Sequence, residues 1–77
     1  MKKIQVKDIS TIEVLKKQQE WWENKDLPFT YERFKGIPEK VVYRKMEKLA
    51  DEGYLEYGVS LRTAWLTEKG KNKLGGG

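Results

Sequence analysis

Residues 36–55 read GIPEKVVYRKMEKLADEGYL, and this stretch decides the fold because it holds one helix with clear ends. Pro38 suits the first helical position, since its missing N–H would have no partner there. Gly53 suits the end of the helix, because glycine readily adopts the left-handed conformation that follows the last helical residues. The sequence therefore predicts an α-helix from Pro38 to Glu52.

The residues of this helix separate into two faces at about 100° per residue. The apolar face, which we expect to pack on the core, consists of Pro38, Val42, Met46 and Leu49, with Tyr43 and Ala50 at its flank. The opposite face carries three cations at spacing i, i+4, i+8, which we call the basic row: Lys40, Arg44 and Lys48. Such a helix is able both to anchor a core and to bind a polyanion.

The composition predicts one small domain with a modest positive charge. The chain has 77 residues, of which 38% are hydrophobic and 36% charged. Sixteen basic and twelve acidic residues give a net charge of +4. This excess is compatible with a nucleic acid, with an acidic protein partner, or with solubility alone.

The residue types that are missing restrict the function. The chain contains no cysteine and no histidine, which removes disulfides, thiolate metal sites and the usual general base. The sequence also lacks a phosphate-binding glycine loop and a nucleophile motif, so we expect neither an enzyme, nor a metal, nor a cofactor. No apolar run has the length of a membrane span or of a signal-peptide core. We therefore expect a cytoplasmic protein without membrane contact.

Two helices are predicted before the basic row. Ser10 and Glu13 have the spacing of a capping box, flanked by Ile9 and Val14, and Asn24 suits the end of this first helix. Its core face is predicted to contain Ile12, Leu15 and Trp22.

A short second helix, Tyr31–Lys35, is predicted after Thr30 as its N-cap, and Gly36 ends it. Only Gly36 and Ile37 then precede Pro38, which predicts a helix-turn-helix.

A hairpin and a last helix are predicted after Gly53. Residues 54–57 and 62–66 suit strands, joined by a short link at 58–61. Thr67 is expected to cap a helix over 68–74, despite Gly70 in its middle. Residues 75–77 form a glycine tail that we expect to be mobile, and residues 1–6 suit either an edge strand or a loose arm.

The three tryptophans are placed by alternation along each element. Trp22 continues the core face of the first helix, whereas Trp21 is expected to cover the hairpin or to be partly exposed. Leu66 is expected to point inward, which puts Trp65 on the outer face, where packing against Tyr54 or the N-terminal segment is expected. An exposed Trp65 would instead indicate a dimer or partner surface.

The local sequence resembles that of bacterial, archaeal and phage winged-helix regulators. The resemblance is carried by KMEKLADEGYL at 45–55 and WLTEKGK at 65–71, and it covers roughly residues 10–74. It implies a small α+β winged helix-turn-helix with a three-helix core, a two-stranded hairpin wing and a short C-terminal helix. Residues 1–74 would then form a single domain.

The resemblance also implies a function, which is that of a small transcriptional regulator that binds duplex DNA. Residues 38–52 would be the recognition helix in the major groove, and the wing near 58–62 would contact the DNA backbone or the minor groove. Two features depart from this pattern. The wing has a single cation, Arg62, and the recognition helix also carries carboxylates that repel phosphates: Glu39, Glu47, Asp51 and Glu52.

The candidate DNA-binding residues are Thr30, Tyr31, Lys40, Tyr43, Arg44, Lys48 and Arg62. Arginine suits bidentate contact with guanine, whereas lysine suits phosphate. The hydroxyl of Tyr43 is placed to reach a phosphate or a base, and the start of the second helix, at Thr30 and Tyr31, favours an anion. The alternative is that the basic row is a solvated face whose cations form ion pairs with Asp51 and Glu47.

Two further partners are left open by the sequence. A homodimer would enlarge the small DNA surface that one module covers. A winged helix that binds a protein, such as an inhibitor or adaptor encoded by a phage or its host, is the alternative to DNA binding.

Overall fold

A computed structural model describes residues 4–75, which form three α-helices and one two-stranded antiparallel sheet. The helices are α1 (Thr11–Glu23), α2 (Glu39–Asp51) and α3 (Glu68–Gly75), and the strands are β1 (Leu55–Glu56) and β2 (Trp65–Leu66). Single-turn 3-10 helices lie at Val6–Asp8, Thr30–Glu32 and Leu61–Thr63. The described chain is a compact α+β globule, as the sequence predicts.

Helix α1 begins and ends where its local signals predict. The Ser10 hydroxyl oxygen accepts a hydrogen bond from the Glu13 backbone N–H at 3.3 Å, and Asn24 is the C-cap. Ile9 and Val14, on either side of the cap, are both buried. Because a capping side chain replaces a missing intrahelical acceptor, these few residues determine the start of α1.

The buried face of α1 differs from the predicted one. The structure buries Val14, Leu15, Gln18 and Trp21. Ile12 and Trp22 are 40% and 38% exposed, so their predicted core positions are wrong, whereas Trp21 is buried and not partly exposed. Gln18, a polar residue that the prediction leaves out, occupies the centre of the buried face. Trp22 instead lies at the edge, where its indole N–H donates to the Ala64 carbonyl at 2.7 Å.

Gln18 is a fully buried amide that joins three segments of the chain. Its Nε2 donates to the carbonyl of Ala64 at 2.6 Å and to that of Arg62 at 3.4 Å. Its Oε1 accepts from the Thr30 hydroxyl at 2.7 Å. A buried polar group is tolerated when its hydrogen bonds are made, and here both ends of the amide have partners.

The second predicted helix is wrong in extent and in its cap. The segment forms only the 3-10 turn Thr30–Glu32, with Phe29 as its N-cap. Thr30 is 1% exposed and donates its hydroxyl to Gln18, so it is not available as a cap. Residues 33–38 then connect this turn to α2, a longer connection than predicted. Gly36 lies within it at φ +76°, a conformation that favours glycine.

Helix α2 follows the prediction closely within its interior. Val42, Met46 and Leu49 are buried, and Tyr43 and Ala50 are partly buried at the flank of the core. Pro38 is the N-cap rather than the first helical residue and is exposed, so its predicted core position is wrong. Its backbone is extended, at ψ 139°, so the helical spacing that placed it on the core-facing stripe does not apply to it.

Gly53 ends α2 in the way the sequence predicts. Its φ is +89°, its N–H donates to the Ala50 carbonyl at 3.1 Å, and the Tyr54 N–H donates to the Leu49 carbonyl at 2.9 Å. This pair of bonds is the Schellman arrangement, which satisfies carbonyls that the helix leaves free.

The hairpin is shorter and its link longer than predicted. Leu55 pairs with Leu66 and Glu56 with Trp65. Residues 57–64 connect the strands, in place of the short link at 58–61, and include the 3-10 turn Leu61–Thr63. The link does not turn tightly because it returns to the core, where Leu61 and Ala64 are buried.

The two faces of β2 separate as predicted. Leu66 is buried, whereas Trp65 lies on the outer face opposite Glu56 and is 43% exposed. Trp65 is thus an exposed tryptophan, the case for which the sequence predicts a dimer or partner surface.

Helix α3 is fixed to the start of the hairpin by its cap and by Gly70. Thr67 is the predicted cap: its hydroxyl oxygen accepts from the Gly70 N–H at 3.1 Å and its O–H donates to the Gly53 carbonyl. Gly70 is buried, and a Cβ there would overlap the Tyr54 carbonyl oxygen. The glycine that looks unfavourable in a helix is thus required by packing.

The chain ends are described in part. Residues 4–5 are irregular and Val6–Asp8 is a 3-10 turn, so the edge strand is not formed there. Residues 1–3 and 76–77 lie outside the described residues, which includes most of the predicted glycine tail; Gly75 is the last residue of α3. Between residues 4 and 75 no helix is long and apolar enough to cross a membrane.

Candidate nucleic-acid interface

The basic row lies on the solvent side of α2. Lys40, Arg44 and Lys48 are all exposed, because the opposite side of the helix carries the buried Val42, Met46 and Leu49. Within residues 4–75 the one ion pair joins Arg33 of the connector to Glu20 of α1 at 2.9 Å. The predicted alternative, pairing of the row with Asp51 or Glu47, is thus not formed in this part of the chain.

Five of the seven candidate residues line one open groove of about 580 Å³. They are Tyr31, Lys40, Tyr43, Arg44 and Arg62, and they are joined by Glu39 and Glu47. The residues come from the 3-10 turn after α1, from α2 and from the link between the strands. The fold therefore brings together side chains that are distant in sequence, and we call this site the α2 groove.

Arg62 reaches the α2 groove from the link and is oriented by two neighbours. Its guanidinium carbon lies 5.4 Å from the centre of the Phe29 ring, and its Nε donates to the Ser60 hydroxyl at 3.3 Å. A guanidinium over an aromatic face is attracted by the ring quadrupole and keeps its N–H groups free at the edge. The link thus adds a second source of positive charge beside the basic row.

Aromatic rings fix the wall of the groove between the link and α2. Tyr31 stacks on Phe29 with centroids 5.9 Å apart and packs edge-on against Tyr43, also at 5.9 Å. Phe29 in turn contacts Trp21 of α1 at 5.5 Å. These contacts are distributed over three segments and hold Tyr31 and Tyr43 in place beside the cations.

Lys48 and Thr30 are the two candidates that lie outside the α2 groove. Lys48 lines an adjacent groove of about 520 Å³ together with Arg44, Val41 and the N-terminal residues 4–7. Arg44 therefore lies between the two grooves. Thr30 is buried and bonded to Gln18, so its side chain does not belong to the surface at all.

Several residues in the groove or beside it are not among the candidates from the sequence. Phe29 and Ser60 orient Arg62, and Glu39 and Glu47 place two carboxylates beside the cations. The helical spacing of Glu47 relative to Arg44 could have indicated its position, since residues three apart are neighbours on a helix. No local signal pairs Phe29 with Arg62, because they lie on different connections.

Acidic clusters do not supply a metal site in the described ranges. No three carboxylates among residues 4–75 come together in a way that could hold an ion. The chemistry of the α2 groove is therefore that of cations, two carboxylates and two phenols at an open surface.

Comparisons of the chain with protein-family models, with curated proteins and with solved structures find no match. Its function is accordingly inferred from the residues of its own surface.

Proposed function

We propose that the chain is a winged helix-turn-helix domain that binds duplex DNA as a small transcriptional regulator. In this proposal α2 is the recognition helix in the major groove, and the link between β1 and β2 is the wing. The observation that supports it most is the position of the basic row, which is exposed and free of ion pairs within residues 4–75. A helix in the major groove needs such an outward face opposite its core-packed side.

The positions of the cations suit contacts with phosphates by some side chains and with bases by others. Lys40 and Lys48 lie on either side of Arg44 along α2, and lysine binds phosphate as a point charge. Arg44, between the two grooves, is the residue proposed to contact guanine O6 and N7. Arg62, held over Phe29, is proposed to contact the backbone beside it. Binding of this kind needs no catalytic group, so we propose a binding module and not an enzyme.

A two-fold dimer would strengthen such binding, because a single module of this size covers little DNA surface. Two copies would place two α2 helices one helical turn of DNA apart. We therefore propose a palindromic target if the dimer forms.

Replacing Arg44 and Lys48 separately tests these two kinds of contact. We expect Arg44→Ala to relax the base preference, and Lys48→Ala to weaken binding to all duplexes alike. Arg44→Ala should cost about 1–3 kcal/mol of binding free energy, and Lys48→Ala should cost less. The measurement is a fluorescence binding assay against a random duplex pool followed by sequencing of the bound fraction. The proposal is contradicted if both variants bind like the parent.

A protein partner is the second candidate, and the exposed tryptophans favour it. Trp65 is 43% and Trp22 38% exposed, and large exposed aromatic side chains are typical of protein interfaces. This candidate would be supported instead if the chain binds no duplex at low salt but does bind a protein through Trp65.

A further inference from the structure

Two carboxylates of α2 face the same groove as the cations. Glu39 and Glu47 line the α2 groove, whereas Asp51, the last residue of α2, and Glu52, its C-cap, do not. Both groove carboxylates are exposed, and neither belongs to an ion pair formed among residues 4–75.

Glu47 is the one of the two that shares a stripe of α2 with Lys40 and Arg44. It follows Arg44 by three residues and Lys40 by seven, so all three side chains project from the same side of α2. That side is opposite the buried Val42 and Leu49. Glu39, by contrast, is the first helical residue and lies about 100° around the helix from Lys40.

A carboxylate in this position opposes phosphate contact but suits one kind of base. Cytosine presents an N4 amino donor in the major groove, and a carboxylate only accepts. Adenine presents a donor beside an acceptor, which an amide side chain matches better than a carboxylate does. The Glu47 carboxylate therefore favours a C·G pair over an A·T pair at the position that it reaches.

We infer that Glu47 is a specificity-determining residue that accepts a hydrogen bond from the N4 amino group of a cytosine. This inference depends on the proposed duplex-DNA function. Three residues of α-helix rise about 4.5 Å, close to one base-pair step. The cytosine accordingly lies in the base pair that contains the guanine contacted by Arg44, or in the next one.

Glu47→Gln tests the inference, because it removes the charge and creates an amide of the same shape. The parent should select duplexes with cytosine at this position from a random pool, and Glu47→Gln should select adenine there. Replacing that cytosine by N4-methylcytosine should weaken the parent about ten-fold, since the methyl group takes the place of the major-groove hydrogen. The same base with a 5-methyl group keeps the N4 hydrogen and is the chemical control.

Glu52→Gln is the matched protein control. It makes the same change of charge at the C-cap of the same helix, at a residue that does not line the groove. We expect it to select the parental sequence. If the parent binds duplex DNA selectively but Glu47→Gln selects the same bases, the inference is overturned while the proposed function stands. If the parent binds no duplex at low salt, the proposed function fails and this inference with it.

Discussion

Replacement of Gln18 by methionine is expected to lower the free energy of unfolding by about 3 kcal/mol. Methionine fills a similar volume but makes none of the three hydrogen bonds of the buried amide. The Thr30 hydroxyl is then left unsatisfied in the interior, at about 1–3 kcal/mol, and the part-buried Arg62 carbonyl also loses its bond to Gln18. The Ala64 carbonyl keeps the indole N–H of Trp22. Urea denaturation followed by tryptophan fluorescence measures the loss.

Gln19→Met is the control for this variant. It makes the same chemical change one position along α1, at a partly buried residue. We expect a change within about 0.5 kcal/mol, as at most surface positions. A double-mutant cycle with Thr30→Val should show coupling of about 1 kcal/mol to Gln18→Met. Equal costs for the two glutamine variants, or no coupling, would mean that the amide does not join these segments.

Replacement of Gly70 by alanine is expected to lower the free energy of unfolding by about 2 kcal/mol. The added methyl group would overlap the Tyr54 carbonyl oxygen, which also accepts the Thr67 N–H at 3.1 Å. Overpacking against rigid backbone costs about 3 kcal/mol, and the better helix propensity of alanine offsets about 1 kcal/mol. Helix α3 must then move away from the hairpin, which loosens its capping bonds at Thr67.

Gly58→Ala is the matched control, because it adds the same methyl group where nothing lies within 4 Å. Its backbone is not left-handed, so a small gain of about 0.5 kcal/mol is expected from the less flexible unfolded chain. The same urea titration compares the two. Packing of α3 on Tyr54 would be disproved by a Gly70→Ala variant as stable as the parent.

Helix ends were predictable because their signals are local. The Ser10 cap, the Thr67 cap and the Gly53 turn each depend on residues within a few positions of one another. The apolar stripe of α2 was predictable for the same reason, since helical spacing alone places Val42, Met46 and Leu49 together.

The errors arise where distant residues decide the local structure. Gln18 is buried because partners from two other segments satisfy its amide, and Trp21 is buried where Phe29 of the next connection packs on it. Thr30 is drawn inward by the same amide. The link between the strands is long because Leu61 returns to the core, and no turn residue in the sequence predicts this return. From the sequence alone Gly70 is a weak helix former, and only the structure shows that the Tyr54 carbonyl lies against it.

The candidate site divides in the same way. The basic row follows from the spacing of one helix, and its exposure agrees with the prediction. The convergence of Arg62 and Tyr31 on that helix depends on tertiary packing, and so does the support of Arg62 by Phe29. The candidate Thr30 failed because its predicted role assumed a helix start that the packing replaces with a 3-10 turn.

The central claim is that the basic row binds the phosphates of duplex DNA, and the salt dependence of binding measures this most directly. With contacts from Lys40, Lys48 and Arg62, the logarithm of the binding constant should fall with the logarithm of salt concentration at a slope of about −3. A double variant with Lys40→Gln and Lys48→Gln should bring the slope to about −1. The control is a double variant with Lys71→Gln and Lys73→Gln, which removes the same charge from α3, outside the groove. It should leave the slope unchanged. Equal slopes for the two double variants, or no duplex binding by the parent at low salt, would contradict the claim.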